Sequence, residues 1–454
     1  MTGPAEVPAE VPAEVPAEVP AEVPATVEAD AEADIDGDRL VRRLAELAAV
    51  GAAPGGGVTR LAYSPADVEG RTLVAGWLRE AGLEVSVDAA GNLLGRLRGT
   101  AGLPGALGTG SHLDSVVAAG PLDGAYGVVA AVEVAAALAR GGGLAHDLVV
   151  VGFSNEEGAR GTPGMVGSLA VAGALAPEQL AAPDDEGVPL ARRLRDVGGD
   201  PDRLADAVWA PGSPAGWIEL HVEQGPVLHA RDLRIGVVTA ITGRVTLDVV
   251  VTGAANHAGT TPMDLRRDAA VAAAHVVLAV HDLAAPSAPG GPAVRVATTG
   301  VVRTEPGVRN VVAGSAVVGV DLRDESDARI DAALARLEAR CAEIGASTGT
   351  QVRIVPGSRV AAVAMDPALA GCVARAADDL GLSRLDLPSG AGHDTQVLAA
   401  VTPVAMVFVP SVDGVSHAPQ ERTEPADLVA GARTLLRALH HADALLTPRD
   451  HPLA

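Results

Sequence analysis

Lysine is missing from all 454 residues, so the 34 basic side chains are arginines, a compositional bias to which no chemistry is attached. Cysteine is nearly missing as well. Cys341 and Cys372 stand alone, which rules out a disulfide framework and a thiolate metal cluster and leaves His and carboxylates as ligands for any metal. Positive charge is scarce, the formal net charge being -23. A nucleic-acid or anionic-membrane surface needs basic patches to offset its partner's charge, so neither partner is expected. No run of about 18 apolar residues occurs, and the N-terminus has no basic stretch followed by an apolar one. Neither a membrane span nor a secretory signal is indicated, and a cytoplasmic location is the expectation.

What is present is enough apolar material for two cores, since hydrophobic residues make up 48% of a chain too long for one ordinary domain. The PAEV repeat places proline at every fourth position from Pro4 to Pro24. This removes backbone donors and excludes helix, so residues 1–37 are expected to form a disordered, polyproline-like tail. Folded sequence starts at DGDRLVRRLAELAAVG, where apolar residues recur at helical spacing behind an aspartate cap. From there strands and helices alternate. GALGTGSHLDSV is a strand running into a loop, AYGVVAAVEVAAALAR a buried helix and HDLVVVGFSNEEG a strand ending in acids. This order predicts an α/β fold with a mainly parallel sheet and ligands at the carboxyl ends of its strands. Around Gly243 the pattern changes to a compact βαββαβ unit. The predicted organisation is a main domain in two parts, 38–243 and 361–454, interrupted by an inserted domain at 244–360.

Chemistry-bearing residues gather at those strand ends. SHLDS carries His112 and Asp114, PLDG supplies Asp123, NEEG supplies Glu156 and Glu157, ELHVEQ supplies His221 and VDGVSH supplies His417. His112, Asp123, Glu157, His221 and His417 are ligands of hard and borderline type, suited to two zinc or manganese ions with one carboxylate bridging. Asp114 and Glu156 are then free to support the ligands and to move protons. One such residue at a strand end is most often a loop cap; so many at successive strand ends are not explained that way. The remaining histidines, His146, His275, His281, His440, His441 and His451, read as surface or helix-face residues, and the two cysteines as core. His393 and Asp394 read equally well as orienting their own loop or as loop structure alone.

Taken together, GSHLDSV with DGAYGV, NEEGAR, ELHVEQGP with IGVVT, NHAGTTPMDLRRDA, SGAGHD and FVPSVDGVSH resemble the hydantoinase/carbamoylase amidases. That family includes N-carbamoyl-L-amino acid hydrolases, bacterial β-ureidopropionases and allantoate amidohydrolases, within the dinuclear metal aminoacylase and carboxypeptidase superfamily. HVEQGP and NHAGTTPM are the specific pieces, because the related peptidases usually place a carboxylate where His221 stands. The resemblance implies that Asp123 bridges two ions, with His112 and His221 on one and Glu157 and His417 on the other. It makes Asp114 the carboxylate that orients His112, and Glu156 the general base. Substrate contacts are implied at Gln224, His257, Asn310, Arg323 and Gly392 of the SGAGHD loop. The implied cofactor is a pair of divalent ions, Zn2+ or else Mn2+, Co2+ or Ni2+. The implied assembly is a homodimer through the inserted lid and dimerisation domain, with His257 reaching the neighbouring subunit's site. Two positions depart from the family pattern: Gly161 stands where an aromatic usually follows EEGAR, and His229 where an acid is usual.

On this reading Glu156 takes the proton of the attacking water and returns it to the leaving nitrogen, and His257 donates to the oxyanion. Arg323 binds the carboxylate of a small-molecule substrate with its planar fork, and one hairpin is expected to present it to the cleft together with Asn310. The expected reaction is hydrolysis of the carbamoyl C–N bond of an N-carbamoyl-L-amino acid, with allantoate as the near alternative. A peptidase or acyl-amino-acid deacylase, and a non-catalytic metal- or ligand-binding relative, are the more distant readings.

Overall fold

The computed structural model describes residues 34–287 and 291–448; the PAEV repeat and His451 lie outside the described residues. Residues 34–37, expected to belong to the tail, are described: Asp34 pairs with Arg433, and Asp36 caps the helix Gly37–Ala49 by accepting from Arg39 N at 3.0 Å. Six strands come first, β1 (Glu84–Val87), β2 (Leu93–Leu97), β3 (Ala106–His112), β4 (Asp147–Phe153), β5 (Gly216–Val222) and β6 (Ile235–Ile241). Next come β7 (Gly243–Thr252), β8 (Asn256–His257), β9 (Val296–Glu305), β10 (Val311–Val312), β11 (Ser315–Asp324) and β12 (Gln351–Val360). The chain returns with β13 (Val363–Ala364), β14 (Arg384–Ser389) and β15 (Val404–Val409).

At the centre of a nine-stranded sheet, β4-β3-β5-β15 run parallel. β1 and β2 extend one side in antiparallel sense, while on the other β6 pairs antiparallel with β15 and β13 and parallel with β14. The fold is thus the mixed α/β class expected. Residues of β3, β5 and β15 are buried along their full length, because apolar side chains pack on both faces. One face carries the helices Gly37–Ala49, Ala125–Arg140 and Pro425–Leu446; the other carries Val151, Phe153, Trp217, Met406 and Phe408. A strand covered twice reads as an unbroken apolar run, which is why VVVGF and VAMVFV show no alternation. Aromatics are few, and all seven Phe, Trp and Tyr residues lie outside 243–360. Phe153, Trp209 and Trp217 form one cluster behind the strand ends, with ring centroids 5.5, 6.3 and 6.3 Å apart.

β7, β9, β11 and β12 make a separate antiparallel sheet in the order β12-β7-β11-β9. Every second residue of β11 is buried, since the helices Ala269–Ala284 and Asp327–Thr348 pack on a single face of the sheet and share a core with Val249, Val251, Val318 and Leu322. The βαββαβ order is present with an addition, a ribbon of β8 and β10 that sets Val311 opposite His257. Two residues per strand are too few to show a period in sequence.

Candidate active site

Parallel neighbours point their carboxyl ends the same way, so the segments leaving β4, β3, β5 and β15 collect at one edge. His112 ends β3, Glu156 and Glu157 come just after β4, His221 is the next-to-last residue of β5, and His417 lies in the loop after β15. The helix Ala125–Arg140 starts directly against His112. Gly124 makes the turn at φ +62, where a Cβ would lie 2.3 Å from the imidazole, so a glycine is required for the ring to enter. Asn155, Gln224 and His417 also have positive φ, at 53, 57 and 53°, a costly backbone conformation concentrated at this edge.

Asp123 sits between histidines. His221 Nε2 is 3.3 Å and His112 Nε2 3.7 Å from its Oδ1, while His417 Nε2 is 2.9 Å from its Oδ2. Main-chain carbonyls fix two of the rings: His112 Nδ1 donates to Asp114 O and His221 Nδ1 to Val222 O, both at 2.9 Å. Their Nε2 atoms therefore face carboxylate oxygens, an arrangement that needs a proton or a cation between the two. His112, Asp123 and His221 form one such group and Asp123, Glu157 and His417 a second. Glu157 Oε1 and Gln224 Oε1 are buried without a hydrogen-bond partner among the described residues. The donor set thus fits two divalent ions, with hard and borderline ligands and one shared carboxylate.

The electrostatics match. Burial opposes ionisation of Asp123, yet the His221 and His417 hydrogen bonds hold its carboxyl well below the usual range. His417 is raised to about 9 by its bond to Asp123, and His221 also to about 9, the same partner overcoming burial. Glu156 is pushed well above an ordinary carboxyl, first by burial and then by Asp394, Glu157 and Asp114. Glu156 Oε2 lies 3.9 Å from His112 Nε2, beside the ligands.

Asp114 does not act as its position in SHLDS suggests. Its carboxylate is 3.8 Å from His112 Nδ1, which bonds to its main-chain oxygen instead; the carboxylate accepts from Glu156 N and Glu157 N at 3.2 and 3.1 Å. It aims the acid pair. Gln224 Nε2 donates to Asp123 Oδ2 at 2.9 Å. Three further residues support the edge without having been singled out in sequence. Glu421 accepts from Leu122 N, Asp123 N and Ser416 Oγ, tying the Asp123 loop to the His417 loop. Arg60, fully buried, donates to Leu113 O, Leu47 O and Val50 O. Glu219 accepts from Ser111 Oγ at 2.7 Å and from Thr395. Only the tertiary fold brings these donors together; Glu421, four residues past His417, had a positional signal.

The residues of the inserted sheet divide into two places. His257 and Asn310 adjoin, with Ala258 N donating to Asn310 O at 2.9 Å, and both are exposed. Gly259 N and Thr260 N donate to His257 Nδ1, so its Nε2 carries the proton and faces outward. Arg266 holds this loop by bonding to Thr261 O and Ala258 O. Arg323 lies at the opposite end of β11, against Arg244 of β7. Eight residues of strand from Ser315 put about 27 Å between the ends, so the expected hairpin presenting Asn310 and Arg323 together is not formed. Arg323 donates to both oxygens of Asp321, at 2.9 and 3.2 Å, and to Gly390 O at 2.6 Å, which sets it beside the SGAGHD loop and Gly392. Arg244 Nε shares Asp321 at 2.7 Å, leaving one net positive charge on the trio.

Of the two departures, Gly161 stands at φ +77, a backbone conformation that strains any side chain, and a Cβ there would displace the exposed Asp185 carboxylate. His229 is exposed, accepts from Asp413 N and belongs to neither of the two ligand groups. His146 is not on the surface: it is buried against Asp443, which accepts from its Nδ1 at 2.7 Å. Its place after a helix-ending GGGLA hid that partner, 297 residues away.

Comparison with known proteins places the chain in context. The model of peptidase family M20/M25/M40 matches residues 108–441. An N-carbamoyl-L-amino acid amidohydrolase of Geobacillus stearothermophilus is 40% identical over 398 residues, 87% of this chain and 96% of that protein. A probable allantoate deiminase of Oryza sativa subsp. japonica is 32% identical, over 87% of this chain and 86% of its own. The crystal structure of a hydantoinase/carbamoylase family amidase from Burkholderia ambifaria superposes with TM-score 0.83 at 41% identity, covering 92% of this chain and all (100%) of that one.

Proposed function

From the premise that this chain belongs to peptidase family M20/M25/M40, and stands with its hydantoinase/carbamoylase amidases, we propose that it hydrolyses the carbamoyl C–N bond of N-carbamoyl-L-amino acids. The observation that carries the reading is Asp123, whose two oxygens each face a histidine Nε2 while Glu156 stands alongside. His112 and His221 would hold one divalent ion and Glu157 and His417 the other, zinc or manganese suiting the donors. When bound, such a pair supplies Lewis-acid polarisation of a carbonyl and acidification of water. Every other task falls to the protein. Asp114 fixes the Glu156 main chain so that its carboxylate can take the water's proton and pass it to the leaving nitrogen, releasing the amino acid and carbamate. Arg323, with the net charge left on its trio, receives the substrate carboxylate.

His257 suits the oxyanion through its outward Nε2–H, but in its own chain it stands a strand's length from Arg323. One small substrate cannot touch both. This supports a homodimer in which the inserted units, residues 244–360, exchange His257 and Asn310 across a two-fold axis while the remainder, 38–243 with 361–454, keeps the metal ligands. Allantoate is the second reading; the rice relative favours it, and it offers the same bond beside the same carboxylate.

Protein reconstituted with zinc or manganese is expected to release ammonia and free amino acid from N-carbamoyl-L-amino acids, to bind close to two ions per chain, and to lose turnover to a chelator. Full activity in metal-free protein, or turnover of allantoate alone, would overturn the reading.

A further inference from the structure

The carbamoyl-amino-acid reading leaves the amino acid's side chain open, and the place assigned to that side chain rests on the same reading. Between the helix Val166–Val171, the helix Asp394–Leu398 and the strands that lead into and out of the inserted sheet lies a cavity of ≈ 470 Å³. It adjoins the site directly at Arg323 and, through Met165, at the main chain of Glu156. Met165, on its wall, donates its N–H to Glu156 O at 2.9 Å, so the wall is one hydrogen bond from the proton acceptor. Arg323 lines it as well, anchored to Gly390 O. A substrate with its carboxylate at Arg323 and its carbamoyl group at Glu156 has its α-carbon between them, and its side chain has this cavity to enter.

The lining says which side chains. Met165, Leu169, Val360, Val363 and Val397 are apolar, and among the described residues no carboxylate lines the cavity. The polar groups there are mostly committed. Gln396 spends its amide N–H on Ala361 O (2.8 Å) and Thr242 O (3.4 Å), and Arg244 gives its Nε–H to Asp321, so the acceptors on offer are Gln396 Oε1 and the Thr242 hydroxyl, which is buried without a partner among the described residues. These two acceptors are fewer than the three N–H groups of a second ureido group, which would lose its water on entry.

We propose that this cavity is the substrate's side-chain pocket and that it selects aliphatic side chains of leucine or methionine size, against charged side chains and against the second ureido group of allantoate. Each methylene moved from water into an apolar wall is worth roughly fourfold, so a leucine side chain should gain about 10²-fold over glycine.

The test compares kcat/KM of the metal-loaded enzyme for N-carbamoyl-L-leucine, N-carbamoylglycine, N-carbamoyl-L-aspartate and allantoate, in the natural protein and in Leu169→Asn and Val397→Thr. Calorimetric binding of the same compounds to Glu156→Gln protein runs alongside. The expected result is a leucine-to-glycine ratio of about 10² that falls about tenfold in either variant, with the same rank order in binding. Equal values for leucine and glycine, a preference for aspartate or allantoate, or a ratio unchanged by both variants would overturn the pocket. Absence of turnover on every N-carbamoyl compound, with leucine still bound more tightly than glycine, would overturn the proposed reaction and leave the pocket standing.

Discussion

The two sheets of this molecule handle polar residues in opposite ways. β3, β5 and β15 are buried on both faces, so that, apart from Glu219 in the middle of β5, which is held by Ser111 and Thr395, their histidines and acids emerge at strand ends. β7, β9 and β11 are covered on one face, and the side chains that this inserted unit offers stay near water: His257 and Asn310, on and beside the β8–β10 ribbon, are exposed, and the Arg323 side chain on β11 is 31% exposed. A doubly covered sheet can hold carboxylates close enough to raise one another's proton affinity, as Glu156 shows. A singly covered sheet cannot, but it can bring cations and donors to a site on another body and withdraw them. The central sheet should therefore act on the bond, and the inserted sheet on binding.

The sharpest way to break that division is Glu156→Gln, which keeps size and burial but removes the proton acceptor. We expect kcat to fall by about 10²–10⁴-fold while both metal ions remain bound, checked by steady-state kinetics with metal analysis. Near-normal turnover would move the proton transfer elsewhere. Arg323→Ala comes next, with a loss of about 10- to 100-fold in kcat/KM carried mainly by KM, since a charge-assisted hydrogen bond contributes about 1.5–3 kcal/mol. A neutral amide analogue should be much less affected. Equal losses on charged and neutral substrates would mean that Arg323 holds the two sheets together through Gly390 instead. The smallest signal sharpens the comparison most. Glu156→Gln chains mixed with His257→Ala chains, each inactive alone, should recover roughly a quarter of natural activity once subunits exchange, one site in four being complete. No recovery under proven exchange would place His257 in its own chain's site.

Much of this was legible in the sequence, for reasons that differ by element. The central strands betray themselves as apolar runs that end in acids or histidine, so His112, Asp123, Glu157, His221 and His417 could be gathered from order alone. Asp114 misled because spacing puts its carboxylate near His112, whereas the chain path brings the Glu156 and Glu157 amides to it from β4. Asn310 and Arg323 misled for a similar reason: 13 positions look close in sequence, but β11 is an extended strand that carries them apart. Arg60 and Glu219 were silent because their partners are main-chain atoms and hydroxyls with no pattern of their own, and Glu421 offered only its place four residues past His417.

The placement of the aromatic residues decides what light can report about this protein. Phe153, Trp209 and Trp217 lie together behind the strand ends, Trp217 Nε1 bonds to Thr395 Oγ1, and 243–360 contains no tryptophan, tyrosine or phenylalanine. Intrinsic emission and near-ultraviolet dichroism therefore see the part of the molecule built on the central sheet alone, and the inserted sheet can melt in optical darkness while its helices and strands still register in far-ultraviolet dichroism. A denaturation curve followed by fluorescence is a local measurement in this chain, and any gap between the two spectroscopic midpoints measures how independently the dark segment unfolds.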